Sequence, residues 1–264
     1  MTPAAYDAWY DTPRGHWIGG VEWALLRAAL DLRVGDALLD VGCGTGWFTR
    51  QAAAAGARVV GLDPDAQALA FARRRGPDAL CFVRGDAVCL PFADRSFDKL
   101  MSVAALCFVP QWPRAAAEIV RVCRGRFALG LLNRHSLLWL QKGRAGGSGA
   151  YRGAHWHTAA ELDGVLRGLP VTDLRCAFGV FLPGGGAGAP PAGALAAAGA
   201  ADRILPDGQR RGAGTAAACG ATASLTRRGK NPGIQVTAPP ASQGGPRRSI
   251  RLVGAGDAVV QPPQ

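Results

Sequence analysis

Beyond Phe181 the chain has no aromatic residue: its 7 Trp, 3 Tyr and 9 Phe all lie at or before that position. From Gly184 to Gln264, 44 of the 81 residues are Gly, Pro or Ala. A stretch so poor in large side chains buries too little apolar surface to offset its ordering entropy, so disorder is expected there. Lysine is scarce too, with three residues against 27 arginines. That bias suggests GC-rich coding DNA, which yields long Gly/Ala/Pro/Arg-rich stretches when read in a wrong frame. A frameshift near Gly184 is therefore one expectation for residues 184–264, and a low-complexity tail is the other.

Long apolar runs are also missing. None reaches the ~18 residues of a membrane span, and the first residues lack the basic-then-apolar order of a signal peptide. A soluble, cytoplasmic protein with no membrane span is expected. No Cys-x-x-Cys pair occurs among Cys43, Cys81, Cys89, Cys107, Cys123, Cys176 and Cys219, which are expected to be reduced, mostly buried thiols. The net charge is +11. Residues 184–264 contribute +6 from nine basic and three acidic residues, and the rest +5 from 21 and 16. With no aromatics interleaved for base stacking, the basic tail is expected to be a solvated charge run, and nucleic acid is an unlikely partner.

What is present is an alternation of apolar runs and helical periods over residues 1–183, the pattern of a doubly wound, mainly parallel Rossmann-like α/β sheet with helices on both faces. Strands are predicted at Ala37–Val41, Arg58–Asp63, Leu80–Arg84, Phe97–Val103, Arg126–Leu132 and Val171–Phe181. Helices are predicted at Glu22–Leu32, Trp47–Ala55, Asp65–Arg75 and Trp112–Cys123, with another opened by the capping box Thr158-x-x-Glu161. Gly143–Gly153 is predicted to be a flexible loop.

The most informative stretch is "LLDVGCGTGWFTR", Leu38–Arg50, a buried strand that breaks into a turn before a helix. The dinucleotide fingerprint needs a further small residue where this chain has Trp47 or Thr49, so neither frame fits. The phosphate-cradling loop fails as well, because no Lys-Ser or Lys-Thr pair follows Gly46. What remains is Asp40-x-Gly42-x-Gly44-x-Gly46. A carboxylate at that strand end repels a pyrophosphate and suits a ligand carrying ammonium and sulfonium groups.

"DVGCGTG" resembles the first motif of class I S-adenosylmethionine (SAM)-dependent methyltransferases, and further stretches match in order. They are "VVGLDPD" (Val59–Asp65), "VRGDAVCLPFADRSFDKL" (Val83–Leu100), "ALCFV" and the opening "YDAWYDTPRG" (Tyr6–Gly15). Together they resemble the methyltransferase type 11 domain and its quinone C-methyltransferase-like subgroup, over roughly Tyr6 to Pro183. The resemblance implies SAM as cofactor, with Asp40, Gly42, Cys43, Gly44, Gly46, Asp63, Pro64, Asp86 and Ala87 around it. Asp40 would partner the methionine ammonium, Asp63 the ribose hydroxyls, and Asp86 with the Ala87 backbone the adenine edge. Such folds usually end with an antiparallel strand between the fifth and sixth. The short segments Ile234–Val236 and Ile250–Val253 are flanked by Pro or Gly, so that strand is expected to be missing.

Methyl transfer from a sulfonium mainly requires that the nucleophile be held in line and water excluded. A base is added where the nucleophile carries a proton, and His135, after the fifth strand, is the candidate. Asn133, Arg134, His155, Trp156 and His157 are candidate acceptor contacts. A metal is not expected at the His-x-His pair, since no nearby Asp or Cys completes a ligand set. Tyr6, Trp9, Tyr10 and Trp17 would form either a lid over the sulfonium or packing on the first helix. The Asn/Asp-Pro-Pro-Tyr motif of base-amino methyltransferases is replaced by the apolar "SVAALCFV", which favours a small, largely apolar acceptor. The alternatives are a non-catalytic or inactivated SAM-binding protein and, behind it, an RNA methyltransferase.

Overall fold

A computed structural model describes residues 1–179, 223–225, 234–236 and 248–255. The disorder expected over 184–264 thus falls almost wholly outside the described residues. Five strands open the sheet: β1 Ala37–Val41, β2 Arg58–Asp63, β3 Cys81–Arg84, β4 Phe97–Val103 and β5 Cys123–Leu132. β6 is Val171–Gly179, and β7 Ala223–Leu225 and β8 Ile234–Val236 form a separate antiparallel pair. β9 is Arg248–Ala255. The main sheet has the order β3-β2-β1-β4-β5-β9-β6, and every pairing in it is parallel.

The order reverses between β1 and β4. In open α/β sheets the crevice at such a reversal, beyond the carboxyl ends of the strands, is where ligands bind. Both strands are nearly continuous apolar runs, as parallel strands covered on two faces must be. Leu38 and Met101 join one core with Leu26 and Leu30 of α2 (Pro13–Leu30) and with Phe48 and Ala52 of α3 (Trp47–Ala54). Their neighbours Leu39 and Leu100 point the other way, into a core with Ala115 and Ile119 of α5 (Trp112–Val122) and Leu162 of α6 (Ala159–Arg167). α4 (Ala66–Arg75) packs Leu69 and Ala72 on Phe82 of β3.

Two departures from the sequence reading bear on the site. The apolar pattern predicts the first helix only from Glu22, yet α1 (Pro3–Trp9) and α2 begin at Thr2-Pro3 and Thr12-Pro13, each a threonine N-cap followed by proline at the first helical position. α1 is fixed by Asp7, which is 3% exposed and receives a hydrogen bond from Arg50 of α3 at 2.8 Å. The second departure is in the sheet. The slot between β5 and β6, where a strand was expected to be missing, is filled by β9, which contains Ile250–Val253 and runs parallel to both neighbours, with Phe127 opposite Ile250 and Leu174 opposite Ile250 on the other side. Pairing there satisfies the backbone N–H and C=O groups that the expected gap would have left open.

The predicted loop Gly143–Gly153 contains short helical turns at Arg144–Gly146 and Gly149–Tyr151. Cys43, Cys81, Cys107 and Cys176 are free thiols. Cys89 is disulfide-bonded, against the expectation of reduced thiols throughout.

Candidate cofactor and acceptor site

The turn after β1 is built by backbone bonds to the end of β2. The Gly42 and Cys43 amides both donate to the Leu62 carbonyl, at 2.7 and 3.0 Å. The Gly44 amide donates to Asp63 Oδ2 at 2.8 Å, and the Asp65 amide to Asp63 Oδ1 at 2.9 Å. Asp63 therefore organises the loop while each of its oxygens keeps a second lone pair free. Cys43 turns its sulfur toward Gly61, where only a missing side chain leaves room for it. The third strand end is tied in by the Gly85 amide, which donates to the Asp63 carbonyl at 3.1 Å, and by Arg84, whose Nε donates to the Pro64 carbonyl at 3.1 Å.

Asp40 lies at the centre of this arrangement, 2% exposed, accepting a hydrogen bond from the Thr49 hydroxyl at 2.6 Å. Burial pushes its pKa up to about 7, the Thr49 hydroxyl pulls it down and the nearby Asp63 carboxylate pushes it up again. Burial likewise raises Asp63. Thr45, between two loop glycines, is 3% exposed and its Oγ1 has no protein partner. Two carboxyls without an ion-pair partner and a buried hydroxyl with nothing to bond among the described residues suit a ligand that brings a cation and further hydrogen-bonding groups. Asp86 is exposed beside buried Ala87, its Oδ1 accepting from the Val88 amide at 3.0 Å.

Residues 39–127, from β1 to β5, match the family model described as a methyltransferase domain. Over those residues the chain is similar to a methyltransferase domain. An uncharacterized protein of Mycobacterium tuberculosis is 39% identical to it over 181 residues, which is 66% of this chain and 60% of that one. The chain thus spans about three fifths of that relative's length. The malonyl-[acyl-carrier protein] O-methyltransferase of Erwinia pyrifoliae is 38% identical over 122 residues, 43% of this chain and 46% of that one. Among solved structures, a SAM-dependent methyltransferase from Thermotoga maritima superposes with a TM-score of 0.51 at 24% identity, covering 64% of this chain and 77% of that one, and shares the fold.

At the carboxyl end of β5 (Cys123–Leu132) the chain leaves the sheet through Asn133, Arg134 and His135. Asn133 Oδ1 accepts from the His135 amide at 2.9 Å, which turns the His135 ring out to solvent. Arg134 is exposed and its guanidinium lies 5.9 Å from the Trp139 ring centre. Residues 155–157 return alongside: the His157 amide donates to the Leu132 carbonyl at 2.8 Å and its carbonyl accepts from the Arg134 amide at 2.9 Å. His155 is exposed there, whereas Trp156 and His157 are buried. Of the N-terminal aromatics, Tyr10 stacks on Trp47 at 4.4 Å and Trp9 sits edge-on to Tyr10 at 5.0 Å. Trp17 is packed against the same core.

Nothing in the sequence pattern singles out Glu22. It is half-buried on α2, the lone acid in "WIGGVEWALL", and burial pushes its pKa up to about 8. Tyr6, Tyr10 and Tyr151 all feel its charge. A carboxyl held at a raised pKa stabilises the fold fully below its unfolded value, and that contribution is lost as pH rises through about 8. Glu22→Gln is therefore expected to raise the melting temperature at pH 9 and leave it nearly unchanged at pH 5. Equal shifts at both pH values in thermal melts would contradict this.

Proposed function

We propose that the domain moves the SAM methyl group to a small, largely apolar acceptor, as the resemblance to the quinone C-methyltransferase-like subgroup suggests. The observation that supports this reading is apolar exposure at one end of the sheet. Of the five large hydrophobic side chains exposed among the described residues, Phe108 at 49%, Leu137 at 49% and Leu140 at 47% follow the carboxyl ends of β4 and β5. Exposed apolar groups gathered near a ligand crevice mark a surface that something apolar covers.

In this reading Asp40 holds the ammonium of SAM and Asp63 the ribose diol, while Asp86 and Ala87 face the adenine. Gly42, Cys43, Gly44, Gly46 and Pro64 form the wall between them. The bound sulfonium supplies the electrophilic methyl. The chain's own part is to hold the acceptor in line and keep water away. Asn133, Arg134 and His155 would orient the acceptor, and His135 would take a proton from a phenol or carbon acid. Trp156 and His157, being buried, would support that surface from beneath.

Asp63→Ala is expected to weaken SAM binding by about 1–3 kcal/mol, the scale of lost hydrogen bonds to a charged group. Unchanged affinity by calorimetry would refute the ribose role. The acceptor class is tested by incubating the protein and methyl-labelled SAM with a cell extract. Label is expected in solvent-extractable small molecules. Label in tRNA, rRNA or protein would overturn the acceptor class, and SAM binding without any labelled product would favour a non-catalytic protein.

A further inference from the structure

We propose that His155, His157 and Glu161 bind one divalent transition-metal ion of the Zn²⁺ type beside the carboxyl end of β5. One ligand atom from each of the three lies within 4.8 Å of the others. A tetrahedral ion with bonds near 2.1 Å would space them about 3.3 Å apart, an adjustment that side-chain rotation can supply. Two imidazoles and one carboxylate are a common donor set for such ions, and three protein ligands leave a position open.

The sequence places no Asp or Cys near the His-x-His pair to complete a ligand set. The fold supplies one. Glu161 is the acid of the capping box, with the Thr158 hydroxyl accepting from its amide at 3.2 Å. Its Oε2 contacts the Thr158 amide only at 3.5 Å, while Oε1 turns to His155 Nε2 at 2.7 Å. The helix cap thus delivers a carboxylate to the imidazoles.

His157 supplies the independent observation. It is 2% exposed, and neither ring nitrogen has a hydrogen-bond partner among the described residues. A buried imidazole in that state carries an uncompensated donor and an uncompensated acceptor, which native structures rarely tolerate.

The ligands are also held in place. The His155 amide donates to the Cys107 carbonyl at 2.7 Å and the His157 amide to the Leu132 carbonyl at 2.8 Å, so both imidazoles leave an anchored extended segment on one face. Trp112 backs both rings, edge-on to His157 at 4.8 Å and stacked near His155 at 6.2 Å. The His155 side chain is 45% exposed and gives an ion its way in. The open position would take water or an anionic oxygen. None of this depends on the identity of the methyl acceptor.

The test uses the full chain, freed of metal by a chelator and with accessible thiols alkylated so that cysteines do not compete. Zn²⁺ is titrated in by calorimetry. One ion per chain is expected, with a rise in melting temperature at saturation. His155→Ala should weaken binding at least tenfold. Glu161→Gln should do the same while keeping the helix cap, since glutamine serves there as well. His16→Ala, on the exposed side of α2, should bind as the native chain does. No Zn²⁺ uptake by the native protein, or native affinity in both His155→Ala and Glu161→Gln, would overturn the proposal.

Discussion

Gly42→Ala is expected to cost about 3 kcal/mol of stability and to abolish measurable SAM binding. Gly42 has φ of +76°, a left-handed conformation that costs an L-residue roughly 1–2 kcal/mol. A side chain there would also run into the Ala105 methyl across the reversal between β1 and β4. Overpacking of that kind adds about 1–3 kcal/mol. Either the loop or the segment after β4 must move, and both line the crevice. Gly44→Ala is the internal control. Its φ of +52° imposes the conformational strain, but a Cβ there meets nothing within 4 Å, so a loss of only about 1 kcal/mol is expected. Denaturant melts of the two variants, with calorimetric titration of SAM, check the difference. Equal destabilisation would remove the steric argument.

SAM affinity is expected to rise with pH between 6 and 8, and Asp40→Asn is expected to erase that rise while weakening binding by about 2–4 kcal/mol, the range for truncating one member of a buried charge pair. The sign follows from the protonation of Asp40, whose folded pKa stands at about 7 because it is buried. Besides the Thr49 hydroxyl, Asp63 is the charged group that bears on it, and its carboxylate favours the protonated form. An ammonium ligand binds the ionised form, so below pH 7 the proton must leave before binding. Affinity then falls by up to about tenfold per pH unit. At pH 8 the carboxylate is already ionised and the dependence levels off. Calorimetry at pH 6, 7 and 8 checks this, and the proton released at pH 6 should appear as a dependence of the binding heat on the buffer. Equal affinities at pH 6 and 8 would remove Asp40 from the ammonium site.

The sequence by itself determined the first five strands to within a few residues, together with the glycine turn, the acids at the strand ends and the capping box of α6. Each of these is a short-range pattern: alternation of apolar runs with helical periods, a turn that needs glycine, a cap three residues from its partner. The boundary of β5 was read three residues late because Cys123-Arg124-Gly125 has no apolar run, and the strand there is set by its pairing with Phe97. The Thr-Pro starts of α1 and α2 are short-range signals of the same kind.

Tertiary structure alone decided which distant groups meet. The salt bridge between Asp7 and Arg50 spans 43 residues, and β9 enters a slot whose walls, β5 and β6, lie far earlier in the chain. Glu22 looked like an ordinary helix acid until the packing around α2 took it out of water. Glu161 is only four residues from His157, but a helix cap and a strand end had to be set against each other before the carboxylate faced the imidazoles. Periodicity reports which face of an element is apolar. It carries no information on which other element will cover that face, because that choice depends on long-range pairing and on the burial that follows from it.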